Sequence, residues 1–449
     1  MPAQRARVPD KLHINVLIPS LALGGAERIV ADTWNALDRN VTGNLFLLCE
    51  CRPCYALQES PRMRVFRLNG PEVGPMLATT VARRVRASPV PALYTHLILA
   101  EELRYLWRLG VRTIPVVHST KGNWHDPPEA YEDDHVPFLV AVSERVAAQL
   151  RARCAKPVIA IRHEVQRWLR PADYRRYRRA IRARYGISGD TLLVGMVGQF
   201  KPAKAYPRAV SVLHRLRRYR RAKLMILGGW EYSGEAEQAH RATVSKAARL
   251  GLFEDLILPG NTHPVEPYYC AFDVFLNTSR WEGLPISILE ALQSGCPVVS
   301  AGTGGQEEVL PAGAALVERA SDLDAYVNVI LAARRASRTV AAPPACAQLI
   351  PRLWCLLAKY GGPEDAPDSP RGAMLFLIGR APAHQRQQLA SLIRALRRPC
   401  QVSVALLEEP PALDPSRIWE DAGAGVTFHG GPEVLDRAES LLELIQQVN

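Results

Sequence analysis

The sequence predicts an α/β protein whose parallel sheets are covered by helices on both faces. Three observations carry that prediction. Short apolar runs alternate with helical stretches along most of the 449 residues, which is the pattern of βαβ units. Glycine-bearing turns follow several of the runs, at Gly24-Gly25, at Gly198 and from Gly302 to Gly305. In a doubly wound sheet such turns gather at one carboxyl edge, where ligands bind. The length suffices for two or three domains, each able to bury its own core.

Composition narrows the class. With 48% hydrophobic and 22% charged residues the chain is an ordinary globular one. No apolar run reaches the roughly 18 residues that span a bilayer, and the opening MPAQRARVPDK lacks the apolar core of a signal peptide, so a cytoplasmic protein is expected. Nine irregularly placed cysteines imply reduced, mostly buried thiols rather than a disulfide frame. Cys49, Cys51 and Cys54 have zinc-like spacing without a fourth ligand, so strand-end cysteines and no metal are expected. The net charge of +12 is concentrated in arginines, eight of them between Arg167 and Arg184, with a second group from His214 to Lys223. No recognised nucleic-acid module surrounds them. They suit a solvated helix face, or a surface drawn to anionic lipid at about 1 kcal/mol per basic residue.

Taken in order, HINVLIP (His13 to Pro19) is a strand that enters Leu23-Gly24-Gly25-Ala26-Glu27-Arg28 and then an amphipathic helix to about Leu37. Strands follow near Asn44, Arg64, Ala92, Thr113 and Pro137. His118 ends the strand TIPVV, ahead of a loop with Trp124, His125 and Asp126. A lone histidine is usually structural, but a strand-end position on the ligand-binding edge makes this one a candidate site residue. Ser143 fits the N-cap of the next helix. After PVIAI comes Arg162-His163-Glu164-Val165, and Pro171 with the arginine-rich helix leads into a second domain. TLLVGMVGQF ends in Gly198 and Gln199 ahead of Lys201 and Lys204; KLMILGG, a helix over Glu235 to Leu250, DLILPG and the turn Asn261-Thr262-His263 continue the alternation.

The chain is organised around Asn277 to Glu308. A strand ends near Leu276, Gly283-Leu284-Pro285 opens a helix that closes at Gly295, and a second strand, Pro297 to Ser300, runs into Gly302-Thr303-Gly304-Gly305. Pro at a helix start and Gly past its end are the expected punctuation. The helix N-terminus offers unpaired N–H groups and partial positive charge, a seat for a phosphate or diphosphate. Glu282 and Glu290 stand eight positions apart; they suit acceptors for a sugar and for ribose hydroxyls, or a helix-dipole glutamate and a solvated one.

SRWEGLPISILEAL followed by GCPVVSAGTGGQEEVL closely resembles the donor-binding signature of retaining GT-B glycosyltransferases of family 4. The resemblance implies two Rossmann-like domains facing across a cleft, residues 1–165 on the acceptor side and 166–360 on the donor side. It implies transfer of a sugar, with retention and without metal or other cofactor, from a UDP- or GDP-linked donor to a glycan or lipid-linked acceptor in cell-surface polysaccharide or glycolipid synthesis. Peripheral contact with the inner face of the plasma membrane, through the arginine-rich segments, would suit such an acceptor. By resemblance Gly24, Gly25 and Arg28 form the GGAER-type turn at the cleft, and His118 lies near the transferred sugar. Lys204 neutralises the diphosphate, while Gln199 replaces the family's arginine and Lys201 is a substitute cation. Glu282 orients the sugar, Glu290 the ribose, and Gly283, Leu284 and Pro285 line the donor. Arg162-His163-Glu164-Val165 departs from the family's Asn-Gly-Val-Asp hinge. Rival readings are a sugar-nucleotide epimerase of the same fold, or a glycosyltransferase-like binding protein that has lost turnover.

The tail is the least expected part. An apolar helix to Tyr360 and a linker, 361–372, precede a strand, loop, helix, strand pattern over 373–449 that resembles His13 to Cys49, with Arg386 where Arg28 stands and Pro382-Ala383 in place of Gly-Gly. It reads as a partial second glycosyltransferase-like segment.

Overall fold

A computed structural model describes residues 12–333, apart from 38–40, 52–53, 164, 166–172, 232 and 311–314, and three further strands at 374–378, 402–406 and 426–430. The first sheet contains β1 (His13–Ile18), β2 (Thr42–Leu47), β3 (Met63–Arg67), β4 (Ala92–His96), β5 (Arg112–Val117), β6 (Leu139–Ala141) and β7 (Val158–Ala160). Its order is β3-β2-β1-β4-β5-β6-β7, with every pairing parallel. Helices α1 (Gly25–Ala36), α2 (Pro75–Arg86), α3 (Ala100–Arg108) and α4 (Glu144–Arg151) connect these strands.

β1 is buried along its whole length, as a central parallel strand must be with helices on both faces. Its polar side chains are satisfied inside. The His13 ring lies 2.7 Å from the Thr42 hydroxyl, Asn44 donates to Asn15 at 2.8 Å, and Asn15 donates to the Val90 carbonyl at 2.8 Å. That network pins β1 to its neighbours at the amino end of the sheet and leaves the carboxyl end for other work.

The second sheet repeats the plan. It contains β8 (Leu192–Val197), β9 (Ala222–Leu227), β10 (Leu256–Gly260), β11 (Val274–Asn277), β12 (Val298–Ala301) and β13 (Ala315–Val317), ordered β10-β9-β8-β11-β12-β13. Its helices are α5 (Tyr174–Arg184), α6 (Tyr206–Leu216), α7 (Gly234–Arg249), α8 (Glu266–Ala271), α9 (Ile286–Gln293) and α10 (Leu323–Ala333). In both sheets the strand order reverses beside the first strand, between β1 and β4 and between β8 and β11. Ligands bind at such switch points. The turns singled out in the sequence leave the carboxyl ends of β1, β5, β8, β11 and β12.

α9 ends as its residues dictate: Ser294 is the C-cap and Gly295 follows at φ +65°, a left-handed conformation that glycine adopts without steric cost. The arginine-rich segment is only partly what its composition suggested. Arg175, Arg176, Arg179 and Arg184 are exposed, but Arg178 and Arg182 point inward. Arg178 donates to the Ala271 carbonyl at 2.9 Å and to Asp273 at 2.6 Å, and Arg182 donates to Asp273 at 3.1 Å and to the Thr191 carbonyl at 2.7 Å. These two arginines satisfy the carbonyl end of α8 and fasten α5 to the second sheet. A solvated or lipid-facing role is thereby corrected for both.

Beyond residue 333, strands β14 (Met374–Ile378), β15 (Val402–Leu406) and β16 (Val426–Gly430) form a separate parallel sheet in that order, the order in which β1, β2 and β3 pair. The helix expected to run to Tyr360, the 361–372 linker, Pro382-Ala383 and Arg386 lie outside the described residues. No described helix is long and apolar enough to cross a membrane.

Candidate functional site

The two carboxyl edges meet, and the contact is close. At Gly283 a Cβ would fall on the His118 carbonyl oxygen, and at Gly305 it would meet Ser143. Glycine is required at 283 because backbone from the other domain occupies the space of a side chain. Leu284 and Ile286 sink into the core of the first domain, where they are 7% and 8% exposed. The turn from Gly283 to Pro285 is therefore an interdomain wedge. Gly25 faces Ile286 across the same boundary, and Gln199 donates from its side-chain amide to the Leu23 carbonyl at 3.2 Å.

Lys204 and Glu282 come together at 2.7 Å. The Glu282 oxygen that accepts Lys204 also accepts the Ser279 hydroxyl at 2.6 Å and the Asn277 amide at 3.3 Å. Their two turns are stitched by backbone. Arg280 N–H donates to the Ala203 carbonyl at 2.7 Å, and the Thr278 hydroxyl donates to the carbonyls of Lys204 and Ala205 at 3.1 and 3.3 Å. Ala205, at φ +52°, is held in a left-handed conformation that costs a residue with a Cβ about 1 kcal/mol. Such strain persists where the surroundings over-determine it, and it belongs to functional turns. A cation and a carboxylate are thus fixed side by side, the lysine still 25% exposed. Lys201 is exposed on the same turn, near enough to Glu27 and His125 to act on both electrostatically.

Glu290 is held by a different network. Tyr269 donates its hydroxyl to Glu290 at 2.7 Å, and Arg28 from the first domain approaches to 3.9 Å. Arg28 is itself bound to Asp32 at 2.8 Å and lies over the Tyr55 ring; His163 reaches Asp32 at 3.4 Å. Burial pushes the Glu290 carboxyl up to about 7, with Arg28 opposing the rise. His118 pairs with His96, ring nitrogens 2.9 Å apart. Burial drives His118 down to about 3, helped by the neighbouring His125 and His163, and holds His96 well below its ordinary value. The histidine pair is neutral at physiological pH, so His118 serves as a hydrogen-bonding group rather than a cation.

The candidates occupy one boundary: Gly24, Gly25 and His118 from the first domain, Gln199, Lys201, Lys204, Glu282, Gly283, Leu284, Pro285 and Glu290 from the second. Sequence reading missed several partners. His96 ends ALYTH at the switch point as His118 ends the next strand, a signal that was available. Asp32 stands four residues after Arg28 on the same helix, a spacing that places the two side by side. Tyr269 and Ser279 have no signature of their own. Cys154, Cys270 and Cys296 are buried, whereas Cys49 and Cys54 are exposed, and no group of side chains among the described residues is placed to hold a metal.

Comparison with known proteins decides the fold. Over 78% of the chain the structure superposes on a sucrose-phosphate synthase from Thermosynechococcus elongatus with TM-score 0.58 at 18% identity, covering 95% of that chain. It superposes equally, at TM-score 0.58 and 18% identity, on Anabaena Alr3699/HepE in complex with UDP and glucose, covering 97% of that chain. The protein has the GT-B fold. Residues 191–334 match the family model for glycosyl transferases group 1, so the second domain of the GT-B unit carries the sequence match. Among curated proteins the chain is 30% identical over 141 residues to the putative glycosyltransferase EpsF of Bacillus subtilis, which is 31% of this chain and 34% of EpsF. It is 32% identical over 107 residues to the lipopolysaccharide core biosynthesis mannosyltransferase LpsB of Rhizobium meliloti, 22% of this chain and 30% of LpsB. The chain spans about a third of the length of the curated relatives it matches.

Proposed function

We propose that this GT-B protein transfers a sugar from a UDP- or GDP-linked donor to a glycan or lipid-linked acceptor, with retention of anomeric configuration, in cell-surface polysaccharide or glycolipid synthesis. The observation that supports this best is the Lys204–Glu282 pair at 2.7 Å, because it places a cation and an acceptor together where both switch points open. Departure of a nucleoside diphosphate develops negative charge, which preorganised donors stabilise without a metal. Lys204 and Lys201 supply the positive charge; Gly24, whose own N–H donates to the Ala22 carbonyl at 2.8 Å, leaves room for close approach, and Gly25 at the N-terminus of α1 supplies a backbone N–H group. Glu282, released from Lys204 when the diphosphate arrives, orients the sugar hydroxyls. Glu290 accepts from the ribose, and neutral His118 hydrogen-bonds the sugar at the reacting face. The relative named for lipopolysaccharide core biosynthesis and the neighbour holding UDP and glucose favour transfer over epimerisation.

Lys204→Ala tests the reading: turnover of the nucleotide sugar falls by about a hundredfold or more while the melting temperature changes little. Wild-type turnover would move the diphosphate role to Lys201. The product's anomeric configuration, read by proton NMR, tests retention, and unchanged turnover in EDTA tests metal independence. One observation favours a second reading, a binding protein without turnover. Gln199 stands where the family has an arginine, and its amide is engaged with Leu23. Hydrolysis of a nucleotide sugar in the absence of acceptor would exclude it.

A further inference from the structure

α4 has an N-terminus completed by the other domain. Its first N–H groups have no partner within the helix. Val146 N–H donates to the Ser143 hydroxyl at 3.2 Å. Glu144 and Arg145 N–H donate, at 3.0 and 2.9 Å, to the two carboxylate oxygens of Glu308, which ends the turn after β12. A two-oxygen, charge-assisted contact on the positive end of a helix is among the stronger surface interactions available. Arg162, from the segment after β7, adds a hydrogen bond to the Glu308 carbonyl.

The same turns reach the candidate site. Ser143 donates its hydroxyl to the Gly283 carbonyl at 3.1 Å, and Gly305 N–H donates to that carbonyl at 2.9 Å. Thr303 donates to the Ser279 carbonyl at 3.0 Å, so the turn that ends in Glu308 is tied to the one that carries Glu282. A Cβ at Gly304 would strike the Glu282 carbonyl, so the two turns lie in direct contact.

We propose that Glu308 is an interdomain catch: its carboxylate completes α4 only when the domains are closed, and through Gly305 and Gly283 that closure fixes the backbone on which Glu282 sits. Glu308 and Ser143 are positioning residues that touch no substrate. Their importance for turnover rests on the sugar-transfer reading, whereas the catch itself does not. Opening the cleft breaks the two N–H contacts, the Ser143–Gly283 bond and the Arg162 bond together, so closure is a discrete state.

Hydrogen–deuterium exchange of the full-length chain tests the catch without any donor. Wild type should protect the amides of residues 144 and 145, which an uncapped helix start leaves open. Glu308→Ala should abolish that protection and also accelerate exchange across 279–287, leaving β1 and β8 unchanged; Glu308→Gln should fall between. UDP, titrated into the same samples, should bind the alanine variant about tenfold more weakly because the closed state is less populated. Wild-type amides at 144–145 that exchange freely would overturn the catch. So would acceleration confined to those two amides, which would make Glu308 a local cap. If wild type binds neither UDP nor any nucleotide sugar, the transfer reading fails while the exchange data still decide the catch.

Discussion

Glu290 shows how a single carboxyl couples stability to pH. Its folded-state value, about 7, lies above that of a free glutamate, so the folded protein binds a proton that the unfolded chain releases between pH 4.5 and 7. The favourable contribution is complete below the unfolded value and is lost as pH rises through 7. Glu290→Gln, which keeps an acceptor for Tyr269 without the charge, should raise stability at pH 8 by up to roughly 3 kcal/mol. The gain should vanish as pH falls below the unfolded value of 4.5, and thermal melts on either side of this window check it. The same substitution should weaken nucleotide-sugar binding at pH 8, because it removes the charged acceptor proposed for ribose. Gly283→Ala asks a different question of one residue. Its methyl group would collide with the His118 carbonyl, so each domain should stay folded while closure fails. Small-angle scattering should show an enlarged radius of gyration, and nucleotide affinity should drop; a wild-type profile would mean that the wedge is dispensable.

At the scale of elements, α5 should be fastened chiefly through Asp273. That carboxylate accepts the Leu193 N–H at 2.8 Å and both inward arginines. Burial alone would raise its value; the Leu193 N–H and Arg178 more than offset this and hold it below that of a free aspartate. Asp273→Ala leaves the buried Arg182 guanidinium and the half-buried Arg178 guanidinium without a counter-charge and should cost about 3 kcal/mol, measured by urea unfolding. Because the carboxyl is depressed, the wild-type advantage should persist above pH 4 and disappear as pH falls through the folded value. The strands and their parallel pairing were legible because buried parallel strands leave apolar runs and glycine turns at regular intervals; their order across each sheet was not read from the sequence. The inward turn of Arg178 and Arg182 was not legible, because arginine spacing on a helix does not reveal which guanidinium meets a carbonyl end. The Glu282–Lys204 pairing was foreshadowed by two separate motifs. The Tyr269–Glu290 and Asp32–His163 contacts join side chains far apart in the sequence within one domain, and the Arg28–Glu290 approach depends on how the two domains meet; local pattern encodes none of these.

At the scale of the whole molecule, the third sheet pairs only within itself among the described strands, and a stretch rich in Pro, Gly and Asp separates it from the GT-B unit. A chain ending at residue 360 should therefore remain folded and bind nucleotide as the full chain does; loss of soluble, nucleotide-binding protein would show that the tail packs on the GT-B unit. The central claim is that the two switch points together seat a nucleotide sugar. A thermal-shift panel of UDP- and GDP-linked sugars on the full-length protein tests it most directly. A ligand at a hundred times its dissociation constant adds about 2.7 kcal/mol, roughly 5–10 °C for a domain of this size. At least one nucleotide sugar should produce such a shift in wild type and a much smaller one in Lys204→Ala; no shift with any of them would contradict the account.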